Sequence, residues 1–486
     1  MKICKITGSL PMTDWSASVP LGVPSRDGNK VFTRSSSWQA RTLALRSVVK
    51  LFTFGFLFAL AATAQTVQSG QSVSLPYLNP QGGMTADVAV ALALENNGEM
   101  QALRKEIDAA RALVKQAGLR ANPKLTASGA NQIGGADNNQ MAEAMLPLEL
   151  GGRRAARVAV AKRELEIREL ALENQERLLA VDVRIKFGEA LAAIKKLDVT
   201  EKTLVAAKQG YELVKARVAE GKIAPLEQNI FLVEVNRLQS IRETSEGRVE
   251  TAMFELRNLI SIKPEEPLRL RGDFNDLIAT PPSVSGSTDY ALRERPDLKG
   301  ARTMDQLAVA QIEKAKSEGR IDASVKAGYQ RMNTGFMLSG FDDRGLLRPI
   351  QDVFHFFTFG VEIDLPLLNR NQGAVEAAKF DREAAQRRIE FGELTIRREV
   401  AVALARYNRA ARSLSIFQNG VRDQANSNLQ VIWQTYELGS RSLLDYIAEQ
   451  RRFLDVENEL IEAELETYIA NIEIMRATNA PELKRK

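Results

Sequence analysis

Phe357-Thr358-Phe359-Gly360-Val361-Glu362-Ile363-Asp364-Leu365-Pro366-Leu367 decides the fold. Phe357, Phe359, Val361, Ile363 and Leu365 share one face of a strand, while Thr358, Gly360, Glu362 and Asp364 share the other. About ten residues of such alternation has the length and pattern of a tilted transmembrane strand, lipid on one side and water on the other. Taken alone, it also fits an amphipathic strand on a soluble sheet.

The chain repeats this ending. Leu146-Pro147-Leu148 stands 219 residues before Leu365-Pro366-Leu367, and each opens a very long helical pattern. Gly221 and Gly439, 218 apart, follow the two long helices and fit the C′ turn position of a helix end. The stretch Ala121-Asn122-Pro123-Lys124-Leu125 has its counterpart at Gly319-Arg320-Ile321-Asp322-Ala323. A duplication of this length restricts the fold more than a single motif does, and points away from catalysis.

Within the first copy, residues 84–260, a helix is expected from Thr85 to about Leu119, stopped before Asn122-Pro123. Strands follow at Lys124–Ala130 and about Met141–Leu148, around the polar loop Asn131–Gln140. From Gly151 to about Glu220 no proline occurs, and Val158, Leu165, Leu172 and Leu179 recur every seven residues. That is a coiled-coil seam, roughly 100 Å long at 1.5 Å per residue. Pro225 suits the start of a returning helix that runs to Leu259. Residues 261–287, with four prolines, read as an irregular linker. The second copy, 288–480, predicts a helix at 289–318, strands at 322–330 and 355–366, a long helix at 373–437 and another at 442–478, before a short tail, 481–486. About 37 residues separate Gly328 from Leu365, against 17 between Gly129 and Leu146, which predicts a long exterior loop around Thr334–Arg344.

Of 486 residues, 66 are Lys or Arg and 61 are Asp or Glu, a net charge of +5. Residues 1–64 hold eight of the basic and two of the acidic ones, so the remainder is close to −1 and offers no bulk basic surface to nucleic acid. Arg41, Arg46 and Lys50 precede the apolar run Leu51–Ala62, and Ala62-Thr63-Ala64 is a small-x-small cleavage site. Residues 1–64 are therefore read as a signal peptide, its first forty residues as a start codon placed too early. Residues 65–83, rich in Gln, Ser, Gly and Pro, are read as a flexible mature N-terminus. Cys4 is the only cysteine and lies in the leader, so no disulfide, thiolate metal site or lipidated cysteine is expected. His355 is the only histidine and is placed in the interfacial aromatic region of a strand end.

Four strands in two hairpins cannot close a barrel, and open edges cannot sit in lipid, so several chains must pool their strands. Glu143 and Glu362 match across the repeats at positions facing the lumen side.

This order, helix, strand, strand, long helix, tip, helix, given twice across roughly 84–480, resembles the outer-membrane efflux protein family, the TolC-like channel-tunnels. The Leu-Pro-Leu strand ends and the Tyr436-x-x-Gly439-x-Arg441-x-x-x-Asp445 tip carry the resemblance. It implies a mainly α fold with a β-barrel portion: a homotrimer with a twelve-stranded outer-membrane barrel, four strands per chain, continued by a periplasmic α-barrel of antiparallel coiled-coil helices. It also implies a periplasmic adaptor and an inner-membrane RND-type pump as partners, with no cofactor and no enzymatic activity. Leu148-Glu149-Leu150-Gly151-Gly152-Arg153-Arg154-Ala155-Ala156-Arg157 looks like the helix start of the CzcC-like branch, which exports divalent heavy-metal cations.

Family tip positions fall on Tyr436, Arg441 and Asp445, and Glu227 holds in the first repeat the place of Asp445 in the second. The expectation is that Arg441 pairs with Glu227 when the channel is closed, that Asp445 joins a carboxylate ring, and that Gly221 and Gly439 admit the adaptor. Alternatives are export of drugs or other organic solutes, a type I protein-secretion exit channel and, in another class, a periplasmic coiled-coil structural protein. The last would leave the paired hairpins and duplicated tips unexplained.

Overall fold

The structure, a computed structural model, describes residues 76–484 apart from 134, 136 and 279–285. The signal-peptide reading, Cys4, residues 65–75 and the Pro281-Pro282 part of the linker lie outside the described residues.

The first copy runs α1 (Ala86–Asn96), α2 (Gly98–Ala117), β1 (Lys124–Asn131), β2 (Asn138–Pro147), α3 (Arg153–Ala219) and α4 (Pro225–Leu259). After α5 (Phe274–Ile278), the second runs α6 (Ser287–Glu294), α7 (Pro296–Glu318), β3 (Asp322–Phe341), β4 (Leu347–Asp364), α8 (Gln372–Ile416), a π-turn at Phe417–Val421, α9 (Arg422–Glu437) and α10 (Leu443–Thr478). Among the described residues no helix is long and apolar enough to cross a membrane.

Two helices expected to be continuous are each broken into a pair. Asn97 ends the first and caps the next, its side chain accepting from Glu99 N at 3.0 Å and Met100 N at 3.3 Å. Arg295 stands between the second pair, with no side-chain cap bond, before Pro296, which has no N–H to lose at a first helical position. The long second-repeat helix is also interrupted, because Gly420 leaves helical geometry inside the π-turn.

The strands form one antiparallel sheet in the order β1-β2-β3-β4. The stretch expected to be a long loop is strand: β3 and β4 stay paired up to Phe341↔Leu347. A register shift between Gly335 and Ser339 absorbs the glycines that suggested irregular backbone. Part of the segment read as flexible is held as well. Asn79 N and Leu270 N exchange hydrogen bonds with Leu270 O and Tyr77 O, at 3.0 and 2.8 Å, so residues 77–84 lie along the linker. The linker is thus partly ordered, and Leu270 and Phe274 are wholly buried.

α3 is a 67-residue rod with a thick waist. Toward its ends one stripe is buried, as heptads require; around Leu179–Leu197 most of the circumference is covered, by α1, α4, the linker and α10. A second core lies near the far end of the helices, where Leu204, Phe231, Leu238, Tyr436, Tyr446 and Leu454 bind the two helical hairpins together.

Candidate functional site

The two tips are built alike. Gly221 and Gly439 have φ of +70° and +76°, the left-handed conformation that glycine adopts without strain. Each closes a Schellman turn. Lys222 N donates to Arg217 O at 2.9 Å and Gly221 N to Val218 O at 3.0 Å; Ser440 N to Thr435 O and Gly439 N to Tyr436 O repeat the pattern at 3.0 and 2.9 Å. A side chain at either glycine would meet open space, so conformation and not crowding selects the residue.

The first tip restarts with Pro225 as the first residue of α4. The second restarts with a capping box: Ser442 Oγ accepts from Asp445 N at 3.2 Å, and Asp445 Oδ2 accepts from Ser442 N at 3.1 Å. The bonds that Asp445 Oδ2 accepts from Ser442 N and, at 3.0 Å, from Ser442 Oγ hold the Asp445 carboxyl below the usual carboxylate range. The side chain is exposed but turned onto its own helix.

Within the chain the expected Arg441–Glu227 pair is absent. Glu227 Oε2 accepts instead from the Tyr436 hydroxyl at 3.2 Å. Tyr436 belongs to the buried cluster between the hairpins, and this brings its hydroxyl to the start of α4. Burial and the Glu227 charge push its phenol up to about 12, so it stays a donor. Arg441 is exposed and makes no hydrogen bond or ion pair with the described residues. Its charge acts on Asp445 only through space.

Trp433 stands behind the tips, with ring centroids 4.7 Å from Tyr446 and 5.9 Å from Tyr436. Further along, Glu234, with 2 % of its side chain exposed, accepts from Arg237 at 2.6 Å and from Arg451 of α10 at 2.5 Å. Burial alone would raise the Glu234 carboxyl; the hydrogen bonds from both arginines outweigh it and leave it below its ordinary value. Glu234 is therefore a clamp between the hairpins.

On the sheet, register places Glu143 opposite Gly328, and Glu362 opposite Ser324, on one common face. Lys326, on that face too, is ion-paired with Glu362. The opposite face carries Leu125, Ala144, Leu146, Val325, Phe357, Phe359, Val361 and Ile363; Phe359 is 83 % exposed. Near its end Tyr329 donates to or accepts from His355 Nδ1 at 2.6 Å and packs on Phe357. Apolar side chains outward and charged ones inward is the pattern of a transmembrane barrel wall.

The outer membrane efflux protein profile matches residues 89–229 and 288–480, both halves of the duplication. The chain belongs to the outer membrane efflux protein family. Over 396 residues this efflux channel is 22 % identical to the cobalt-zinc-cadmium resistance protein CzcC of Cupriavidus metallidurans, covering 82 % of this chain and 90 % of CzcC. Over 278 residues it is 24 % identical to the nickel-cobalt-cadmium resistance protein NccC of Alcaligenes xylosoxydans, covering 57 % of each. The crystal structure of CusC, a transmembrane channel, superposes with a TM-score of 0.67 at 19 % identity, covering 81 % of this chain and 91 % of CusC. The protein is thus an outer-membrane efflux channel of tripartite systems, with its helical tunnel in the periplasm, and not an enzyme.

The efflux channel has functional parts that pattern reading passes over. Arg153 and Arg157, noted above only as a likeness to one branch, join strands to helix. Arg153 reaches Asp322 at 2.8 Å and Glu318 O at 3.1 Å in the other repeat; Arg157 reaches Glu149 at 2.7 Å and Ala117 O at 3.0 Å. Two preceding glycines at positive φ turn the chain there. The Glu234–Arg451 clamp had no signal in the sequence, because its partners lie 217 positions apart.

Proposed function

We propose that this efflux channel is the outer-membrane duct of a tripartite exporter of divalent heavy-metal cations. The observation that carries this is the similarity to CzcC along 90 % of that protein's length. Similarity to NccC, a second metal-resistance protein, agrees with it. Three copies would join their four-stranded sheets into one twelve-stranded barrel, which gives the unpaired edges of β1 and β4 partners and the apolar face its lipid. The tips would meet a periplasmic adaptor and an RND-type inner-membrane pump, which would choose the cargo. Gly221 and Gly439 leave open space where such a partner would sit.

A deletion strain compared across zinc, cobalt, cadmium, nickel, copper, detergents, dyes and antibiotics tests the cargo. Sensitivity to divalent metals, restored by the gene on a plasmid, is the expected outcome. Sensitivity confined to organic solutes would overturn it in favour of drug export.

The gate reading is carried by the tips. Glu227 has Tyr436 as its partner inside the chain, which leaves the Arg441 guanidinium available to a carboxylate of a neighbouring copy. Asp445 and Glu227, repeated by symmetry, would surround the entrance with negative charge that favours cations. Arg441→Ala and Glu227→Ala should each raise single-channel conductance in planar bilayers. Unchanged conductance in both would remove these residues from the gate.

A further inference from the structure

One face of the sheet changes character part-way along its strands. The face of Glu143 begins, at the helix end, with Ser324, Lys326, Glu362 and Thr358. Toward the hairpin turns charged residues give way to an aromatic and methionine cluster set among amides: Met141 lies opposite Gln330, which faces Phe356 and donates to Asn139 Oδ1 at 3.0 Å, and Met332 lies opposite Phe354, before Thr334 and Asp352. Phe354 stacks on Phe356 with centroids 6.3 Å apart, and Phe336 meets Phe354 edge-on at 6.2 Å. The opposite face reverses the order, with apolar residues as far as Tyr329 and Phe357, then Arg331 and His355.

Which side is the inside follows from two observations. The apolar band of the other face, from Ile363 to Phe357, is the part suited to lipid. Along β2 from Asn139 to Pro147 and along β3 from Ser324 to Gln330 the residues on the Glu143 face are half-buried while their alternates are exposed, so the sheet curls toward that face. The turn ends of the hairpins are the ends away from the helices, hence the outer end of the channel. A water-filled wall gains nothing from phenylalanine, and exposing such rings to water is unfavourable by roughly 25 cal/mol per Å². Aromatic residues clustered on the wet face therefore need a reason of their own.

We propose that Met141, Met332, Phe336, Phe354 and Phe356, repeated in three copies, form an aromatic collar at the outer mouth of the channel. The collar narrows the duct and makes it poorly wetted, a barrier to hydrated solutes in both directions that cargo driven outward must cross and that slows unassisted entry from outside. This inference rests on the trimeric barrel reading above. It names a specificity-determining layer distinct from the tips, at the other end of the molecule.

The test uses full-length channel in intact cells, with Cys4 replaced by serine. A cysteine below the collar (Ser324→Cys) and one at the hairpin turn (Arg344→Cys) are labelled from outside with a sulfonated maleimide dye too large for general porins. With Phe354→Gln and Phe356→Gln, which keep bulk but add polarity, labelling at Ser324→Cys should accelerate several-fold, and labelling at Arg344→Cys should not change. Equal rates at Ser324→Cys with and without the glutamines, or no labelling there in either while heat-labile trimers are present, would overturn the collar. If the double substitution fails to assemble, Phe356→Gln alone is read in the same way. Absence of a heat-labile trimer from the unsubstituted channel would instead overturn the barrel reading, and the collar with it.

Discussion

Arg295→Ala is expected to lower the unfolding midpoint of the detergent-solubilised channel by more than any other single truncation of a charged side chain. Arg295 has 4 % of its side chain exposed and joins four elements, α6, α7, α8 and α10. It ends α6, caps α7, donates to Asp297 at 2.5 Å and to Glu399 of α8 at 2.5 Å, and reaches Ala477 O of α10 at 3.3 Å. Burial opposes its charge, but the two carboxylates restore it and leave the guanidinium above its ordinary value. Removing one member of such a group strands the others, at a cost of about 3–5 kcal/mol. Arg295→Lys should fall between, since an ammonium keeps the charge and loses the fork. Replacing Arg295, Asp297 and Glu399 together by apolar residues of similar volume should recover most of the loss. A midpoint for Arg295→Ala equal to that of the unsubstituted channel would refute the assignment.

Gly188→Ala should also destabilise the fold, by less, although alanine is the better helix former by about 1 kcal/mol. Gly188 lies in the middle of α3 and is buried. An added Cβ would stand 2.6 Å from two ring carbons of Tyr468 on α10. That ring cannot retreat easily, because it is buried and meets Phe274 of the linker edge-on at 6.0 Å. Overpacking of this kind costs about 1–3 kcal/mol, which outweighs the gain in propensity. The pairing can be read in a double-mutant cycle: Gly188→Ala with Tyr468→Leu should lose less than the sum of the two single changes. Strict additivity of the unfolding free energies would show that the contact does not limit the packing.

The two strand hairpins and the long helices were legible because each advertises its period over many residues, and because each occurs twice. The tip turns were legible for the same reason, since Gly221 and Gly439 recur at one spacing. What remained hidden was decided by partners distant in the chain. Gly188 reads as a weakness in a helix until Tyr468, 280 positions away, is placed against it. Asn97-Gly98 and Arg295-Pro296 are visible breakers, yet apolar periodicity carried the expected helices across both. β3 and β4 were cut short because Gly335 and Gly340 are turn residues locally, while pairing across the hairpin holds them in strand and leaves only residues 342–346 for the turn. At the tips, residue types located the turns but not the partners. Glu227 found a tyrosine in its own chain, and Asp445 its own helix start.

The strand order has a further consequence. Each chain ends its sheet on two different edges, β1 with eight residues and β4 with eighteen. In a closed ring of copies, β1 of one takes β4 of the next. Such association is head-to-tail, and the number of copies is set only by the angle at which successive sheets meet. A ring ends the process and a slightly different angle would not, so a substitution that flattens the sheet threatens more than stability. It would turn a counted assembly into an open-ended one.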